Sequence, residues 1–193
     1  MSTTPPNEAQ LVAELNDLLQ LDHDAVQAYG LALDGLQDER HRATLREYRA
    51  DHERHVEELT RLVQSFGGIP LNLPHLPTGA FKLAVQAVGR LGGDRALLLA
   101  FKTNEGQVRA KYREHVARAH SVDVQEVLRR AADDEERHYR WVGRVLEEMG
   151  AGSDTLTGQA QGALEQVHGT VANLVEGAER RLLQQAERLR RDG

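Results

Sequence analysis

Two five-residue stretches decide how this chain folds: Asp51-His-Glu-Arg-His55 and Asp134-Glu-Glu-Arg-His138. Each lies near the middle of a long segment whose apolar residues recur every three or four positions, the spacing of a helix with one buried face. Within each stretch, histidines and carboxylates occupy positions where that face should be apolar. Both stretches therefore predict a long helix that carries polar side chains into a hydrophobic core.

The same interruption occurs on two further helical segments. Asp22 breaks the apolar series that runs from Leu11 to Leu36, and Glu105 breaks the series from Leu98 to Val116. An unpaired buried charge costs several kcal/mol, and a whole domain is typically stable by only ~5–15 kcal/mol. A bound cation would remove this conflict. The sequence therefore predicts six metal ligands at one level of a bundle: Asp22, His52, His55, Glu105, Glu135 and His138.

An internal repeat supports this prediction. Adding 83 to the residue numbers of the first helix pair gives the corresponding residues of the second pair. The matched positions are Asp22 and Glu105, Tyr29 and Tyr112, His52 and Glu135, and His55 and His138. Two copies of one helical hairpin, related by a pseudo-twofold axis, would place two equivalent half-sites face to face.

Helix signals divide the chain into long segments. We expect helices over about 9–36, 38–66, 94–119 and 121–149, the last opened by Ser121 or Asp123, with a short apolar helix over 80–91. Long helices with one long middle connection predict an all-α four-helix bundle with a crossover. We assign residues 1–152 to this bundle and 153–193 to a linker and an extra amphipathic helix, about 161–191, docked on the bundle or on a partner.

Composition excludes several classes of protein. Of 193 residues, 40% are hydrophobic but only 4% are aromatic, which favours helices over a β-sandwich or barrel. The absence of cysteine excludes disulfides and thiolate metal sites, and the net charge of −6 excludes a strongly basic nucleic-acid binder. No apolar segment is long enough to span a membrane and no secretion signal opens the chain, so we expect a cytoplasmic protein with no nucleic-acid or membrane partner.

Over about residues 8–150, the pattern resembles the ferritin-like superfamily, which includes ferritins, bacterioferritins, rubrerythrins and manganese catalases. There, a glutamate on helices one and three and a Glu-x-x-His on helices two and four hold two iron or manganese ions. A tyrosine seven residues after the first-helix carboxylate is also common there. The resemblance implies terminal carboxylates at Asp22 and Glu105, histidine ligands at His55 and His138, and a bridging carboxylate at Glu135, with His52 in the other bridging position.

Two departures from that pattern bear on the metal. His52 replaces a bridging carboxylate, and a neutral imidazole binds only one ion; Asp22 is one methylene shorter than glutamate. Two alternatives for the number of ions therefore stay open: a site with a single ion, and a site with an asymmetric pair of ions. Asp51 could supply the missing carboxylate in place of His52, or Asp51 and Asp134 could orient the histidines from outside. Mixed imidazole and carboxylate ligands suit iron, manganese or zinc.

Each candidate also has a simpler interpretation. His52 could be a hydrogen-bonded core histidine, and Asp22 and Glu105 could be buried partners of Arg54 or Arg137. Tyr29 and Tyr112 are expected in the core with their hydroxyls on buried carboxylates, and Trp141 in bundle packing or at an interface. The remaining histidines lie off the apolar faces or in loops and are expected to be exposed: His23, His41, His75, His115, His120 and His168.

The resemblance implies a metal centre that reacts with O₂ or peroxide, in iron oxidation and handling or in peroxide defence. Such a protein would be a ferroxidase or a peroxide-reacting oxidoreductase, and we expect a homo-oligomer, a dimer or larger. Two alternatives stay open: a protein that binds metal without turnover, and a metal-free structural helical protein associated with stress. The sequence does not decide among these three functions.

Overall fold

The computed structural model describes residues 7–74, 78–118 and 120–150, and their side chains apart from those of residues 78–92 and 100. It contains four helices: α1 (Glu8–Gly35), α2 (Glu39–Ser65), α3 (Thr78–Val116) and α4 (Val122–Glu148). No strand occurs in these ranges. The all-α prediction is thus confirmed. The predicted linker and C-terminal amphipathic helix, residues 153–193, lie outside the described residues.

Local signals account for the ends of the first hairpin. The Asn7 side chain accepts from the backbone N–H of Gln10 at 2.8 Å, and the Gln10 side chain accepts from the N–H of Asn7 at 3.2 Å. This reciprocal capping satisfies two of the free N–H groups at the start of α1. At the other end of the hairpin, Gly67 follows α2 with a positive φ of 70°, a conformation that glycine adopts without strain. The bounds of α1 and α2 therefore agree with the sequence prediction to within one residue.

The third element agrees with the predicted break. We expected a short helix over 80–91 and a new helix from Asp94, and α3 (Thr78–Val116) consists of two helical segments that meet at a kink, where Gly93 has a non-helical backbone (φ 61°, ψ −161°). The two carboxylate oxygens of Asp94 accept from the backbone N–H groups of Gln37 and Asp38, each at 2.9 Å. Asp94 therefore ties the α1–α2 connection to the kink of α3.

Asp94→Ala is expected to lower the free energy of unfolding by about 1–2 kcal/mol, because two backbone N–H groups lose a charged acceptor. Asp94→Asn keeps one carbonyl oxygen and should cost less. Urea denaturation of the three proteins measures this difference. Equal stability of the alanine variant and the wild type would show that water replaces both bonds.

The helices pack as two hairpins around a common core. α1 packs against α2 and α3, and α4 packs against α3 and α2. Leucines fill both ends of this core: Leu15, Leu18 and Leu128 lie in one apolar cluster, and Leu45 and Leu98 are equally buried on the other side of mid-bundle. The mid-bundle level between these two apolar regions contains polar residues. No helix of the described ranges is long and apolar enough to cross a membrane.

Candidate metal centre

All six predicted ligands lie buried at mid-bundle. Their side chains come from all four helices, and none exposes more than 1% of its surface. They are Asp22 on α1, His52 and His55 on α2, Glu105 on α3, and Glu135 and His138 on α4. The apolar periodicity therefore predicted their burial correctly. That they bind an ion stays a prediction.

The six residues form two overlapping groups that could each hold a metal ion. One group is Asp22, His52, His55 and Glu135, and the other is His52, Glu105, Glu135 and His138. Within each group, one potential ligand atom of every residue lies within 4.8 Å of the others. His52 and Glu135 belong to both groups, so they occupy the centre of the arrangement. Asp51, the alternative ligand on α2, belongs to neither group.

Asp22 is fully hydrogen-bonded within the protein. Its Oδ1 lies 2.8 Å from His52 Nδ1 and 3.2 Å from His55 Nδ1, and its Oδ2 accepts a hydrogen bond from the Tyr112 hydroxyl. Burial alone would raise the pKa of Asp22, but the bonds from His52 and His55 outweigh it and lower that pKa to about 2. Asp22 is thus an ionised carboxylate surrounded by three donors.

The repeat-related carboxylate, Glu105, has no such partners. Within the described part of the chain, both of its oxygens are buried without a hydrogen bond, as are both oxygens of Glu135, Nδ1 of His138 and Nε2 of His52. His138 Nδ1 lies 3.6 Å from Glu105 Oε2 and 4.0 Å from Glu135 Oε2. These distances are too long for hydrogen bonds, so several buried polar atoms converge on one space without a hydrogen bond between them; the Tyr29 hydroxyl, also buried without a hydrogen bond among the described residues, lies beside Glu105.

Burial controls the protonation of this second group. It raises the pKa of Glu105 to about 8, and it raises the pKa of Glu135 well above its ordinary value, with the charges of Glu105 and Asp22 adding to the effect. Burial also lowers the pKa of His138 to about 4, despite its bond to Asp51. Near pH 7, Glu105 is therefore held mostly protonated and His138 is held neutral, and the raised pKa of Glu135 favours its protonated form.

Two aspartates connect the hairpins outside the centre. His138 Nε2 lies 3.0 Å from Asp51 Oδ2, and His55 Nε2 lies 3.2 Å from Asp134 Oδ2, so each aspartate bonds the histidine of the opposite hairpin. Arg54 and Arg137 each bond both aspartates. The sequence left open whether these aspartates act as ligands or as outer partners; neither belongs to a group of residues that could hold an ion, and their role toward a metal stays a prediction. The alternative that Arg54 or Arg137 pairs with Asp22 or Glu105 finds no support, because both arginines bond this outer pair.

His55 and His138 therefore differ, although the repeat makes them equivalent. Both ring nitrogens of His55 face carboxylate oxygens, Nδ1 toward Asp22 and Nε2 toward Asp134. Burial would lower the pKa of His55, but Asp134 and Asp22 raise it to about 9. In the metal-free protein His55 is thus a cation, whereas His138 is neutral.

Aromatic rings surround the histidines. The Tyr48 ring stacks on His138 at 4.1 Å between centroids, and Trp141 packs its edge against Tyr48 at 5.6 Å. Tyr29 lies 5.0 Å from the His52 ring, and burial followed by the charge of Glu105 raises its pKa. Tyr48 was not among the predicted site residues. Its position four residues before His52 on the same helix face could have assigned it to the site.

The expectation that the remaining histidines are exposed is wrong for His115, which is 2% exposed. Its Nδ1 lies 2.9 Å from the carbonyl oxygen of Lys111, and its own carbonyl oxygen lies 2.9 Å from His120 Nε2. The bond to the Lys111 carbonyl satisfies Nδ1 of the His115 ring at the end of α3 and helps to explain how the ring can be buried off the apolar face. His23, His41 and His120 are partly buried, and His75 and His168 lie outside the described residues.

Comparison with known proteins gives one match. The family described as "Domain of unknown function (DUF2383)" matches residues 10–75, about a third of the chain. This span holds α1 apart from its first two residues, α2 and the residues that follow α2, and so includes Asp22, His52 and His55 but not the candidate ligands of the second hairpin. No curated protein and no solved structure matches the chain. The matched span corresponds to the first hairpin, and the family description names no function.

Proposed function

We propose that this protein belongs to the ferritin-like superfamily and binds iron or manganese at mid-bundle, in iron oxidation and handling or in peroxide defence. The observation that carries the proposal is the set of buried atoms without partners on Glu105, Glu135, His138 and His52. Buried polar groups are nearly always satisfied in folded proteins. A divalent cation bound among them would satisfy these atoms at once, taking the place of the carboxyl protons and offsetting the negative charge that their release creates.

The donor set suits these metals. It combines imidazole nitrogens and carboxylate oxygens without thiolates, a mixture that iron, manganese and zinc accept. When bound, iron or manganese would supply the redox chemistry with O₂ or peroxide. The chain itself would hold the ion, fix the histidine rings through Asp51, Asp134 and Asp22, and exclude bulk water with the apolar regions on either side.

The repeat and the bundle support the assignment to the superfamily. Two hairpins, each with a carboxylate on its first helix and a histidine on its second, pack so that their polar positions meet at one level. All six residues of the sequence-predicted ligand set remain candidates for one or two ions. The outer Asp51 and Asp134 match the role that second-layer carboxylates play toward metal-bound histidines.

Elemental analysis of the purified protein tests the proposal directly. We expect about one or two equivalents of iron or manganese per chain, lost from a Glu105→Gln/His138→Gln double variant and kept by Glu53→Gln, an exposed glutamate on α2. Aerobic addition of Fe(II), followed by ferric absorbance, then measures oxidation. Wild-type protein that takes up no metal and oxidises Fe(II) at the rate of buffer would contradict the proposal.

A protein that holds its metal without turnover is the second candidate. It is favoured by one observation: His52 stands where the superfamily has a bridging carboxylate, and its Nδ1 is engaged with Asp22. This candidate predicts stoichiometric metal with Fe(II) oxidation at the background rate. A metal-free structural protein predicts neither metal nor any change of melting temperature on adding a chelator, because only ligands that bind the folded state raise stability.

A further inference from the structure

We infer that the centre takes a single divalent transition-metal ion, held by Glu105, Glu135, His138 and His52, and that Asp22 positions His52 instead of binding the ion. This inference rests on the proposed function and goes beyond it. It assigns the number of ions and separates the ligands from the residues that support them. It also gives different roles to half-sites that the repeat makes equivalent.

The candidate ligand atoms without hydrogen bonds are concentrated in one of the two groups. Both oxygens of Glu105 and Glu135, Nδ1 of His138 and Nε2 of His52 are buried and lack hydrogen bonds within the described residues. All four residues belong to one of the two groups whose ligand atoms lie within 4.8 Å of one another. Two nitrogens and two carboxylates are a complete donor set for one ion such as Fe(II), Mn(II), Co(II) or Zn(II).

Asp22 fixes the proton of His52. With Nδ1 of His52 2.8 Å from Asp22 Oδ1, the ring donates from Nδ1 and keeps the lone pair on Nε2. His138 has the complementary arrangement, in which Nε2 donates to Asp51 at 3.0 Å and Nδ1 keeps the lone pair. Metal-bound histidines usually donate their other N–H to a carboxylate in this way. The carboxylates of Asp22 and Asp51 therefore serve the same purpose for two different ligands.

The group of Asp22, His52, His55 and Glu135 does not offer a complete set of free ligand atoms. His55 places Nδ1 3.2 Å from Asp22 Oδ1 and Nε2 3.2 Å from Asp134 Oδ2, so both nitrogens are occupied by carboxylates. Asp22 accepts from His52, His55 and the Tyr112 hydroxyl. An ion that entered this group would have to displace these bonds, whereas an ion beside Glu105 displaces none. We therefore expect one ion, bound in the group that contains Glu105 and His138.

Titration with Co(II) alone tests the inference, with two matched pairs of variants taken from the repeat. We expect the wild type to bind one equivalent with visible d–d bands. Glu105→Gln and His138→Gln should remove those bands. Asp22→Asn, which keeps an oxygen for His52, and His55→Gln should keep one equivalent and bands at the same wavelengths, with affinity lowered about 10–100-fold at most, the usual effect of an outer partner.

The outcomes separate this inference from the proposed function. Two tightly bound equivalents in the wild type, or loss of the bands in Asp22→Asn as complete as in Glu105→Gln, would overturn the one-ion assignment while supporting a metal centre. No binding by the wild type would overturn the proposed function itself. Helical circular dichroism of each variant shows whether it folds, and the stoichiometry of the wild type decides the inference even where a variant does not.

Discussion

Glu105→Met should raise the free energy of unfolding of the metal-free protein by about 1–3 kcal/mol, because it removes a buried carboxyl group without a hydrogen-bond partner. The repeat-related change Asp22→Val should lower it by about 3–5 kcal/mol, because His52, His55 and Tyr112 all lose their acceptor. Two carboxylates that the repeat makes equivalent are thus expected to have opposite effects on stability.

Urea denaturation of chelator-treated protein measures both changes. Glu105→Gln serves as a control, since it removes the ionisable group but keeps a polar group buried, and it should fall between the wild type and Glu105→Met. The expectation fails if Glu105→Met destabilises the metal-free protein as strongly as Asp22→Val. In that case Glu105 would have partners in the folded state that the structure does not show.

The metal-free protein should lose stability as the pH rises from about 6.5 to 8. The pKa of Glu105 is raised from 4.5 to about 8, so its contribution is complete below pH 4.5 and is lost as the pH rises through 8. The pKa of His55 is raised from 6.5 to about 9, so its contribution is complete below pH 6.5 and is lost toward pH 9. Each group can lower the free energy of unfolding by up to ~1.4 kcal/mol per pH unit in its window.

The groups with lowered pKa values act outside this window. His138, with a pKa lowered to about 4, stabilises the fold above pH 6.5 and loses this contribution as the pH falls through 4. The contribution of Asp22, with a pKa lowered to about 2, is lost only below pH 3.8. Neither group therefore offsets the loss expected between pH 6.5 and 8.

Melting curves of chelator-treated protein at several pH values measure this dependence. Glu105→Gln should have a flatter profile, because it lacks the titrating carboxyl. Metal-loaded wild type should also be flatter, since a bound cation takes the place of the protons. A melting temperature that stays constant or rises between pH 6.5 and 8 in the metal-free wild type would contradict the expected proton linkage.

These expectations share one physical cause. The buried carboxyl groups of Glu105 and Glu135, which have no hydrogen bonds in the described part of the chain, destabilise the metal-free protein. Buried polar groups without hydrogen bonds are typical of functional sites. Opposite changes in the free energy of unfolding for the Asp22 and Glu105 variants would show that Asp22 stabilises the fold. They would also show that Glu105 lowers stability in the metal-free protein, as expected of a residue that binds a ligand.

Helical periodicity explains why the burial of the candidate ligands could be predicted from the sequence. Residues three and four apart share one face of a helix, so Asp22 and Glu105 could be placed among leucines before any fold was known. The same reasoning failed where local bonds decide burial, as for His115, which is satisfied by the Lys111 carbonyl.

Spacing along single helices predicted the long helices and the polar side chains directed into the core, and the match at an offset of 83 residues predicted the repeated hairpin. The packing of the helices against one another sets the remaining features: Asp51 and Asp134 bond the histidines of the opposite hairpin, three donors bond Asp22, and Glu105 has no hydrogen bond within the described residues. These contacts join different helices. They depend on how each helix is rotated against its neighbours and on the rotamers that meet there, which no spacing within one helix specifies.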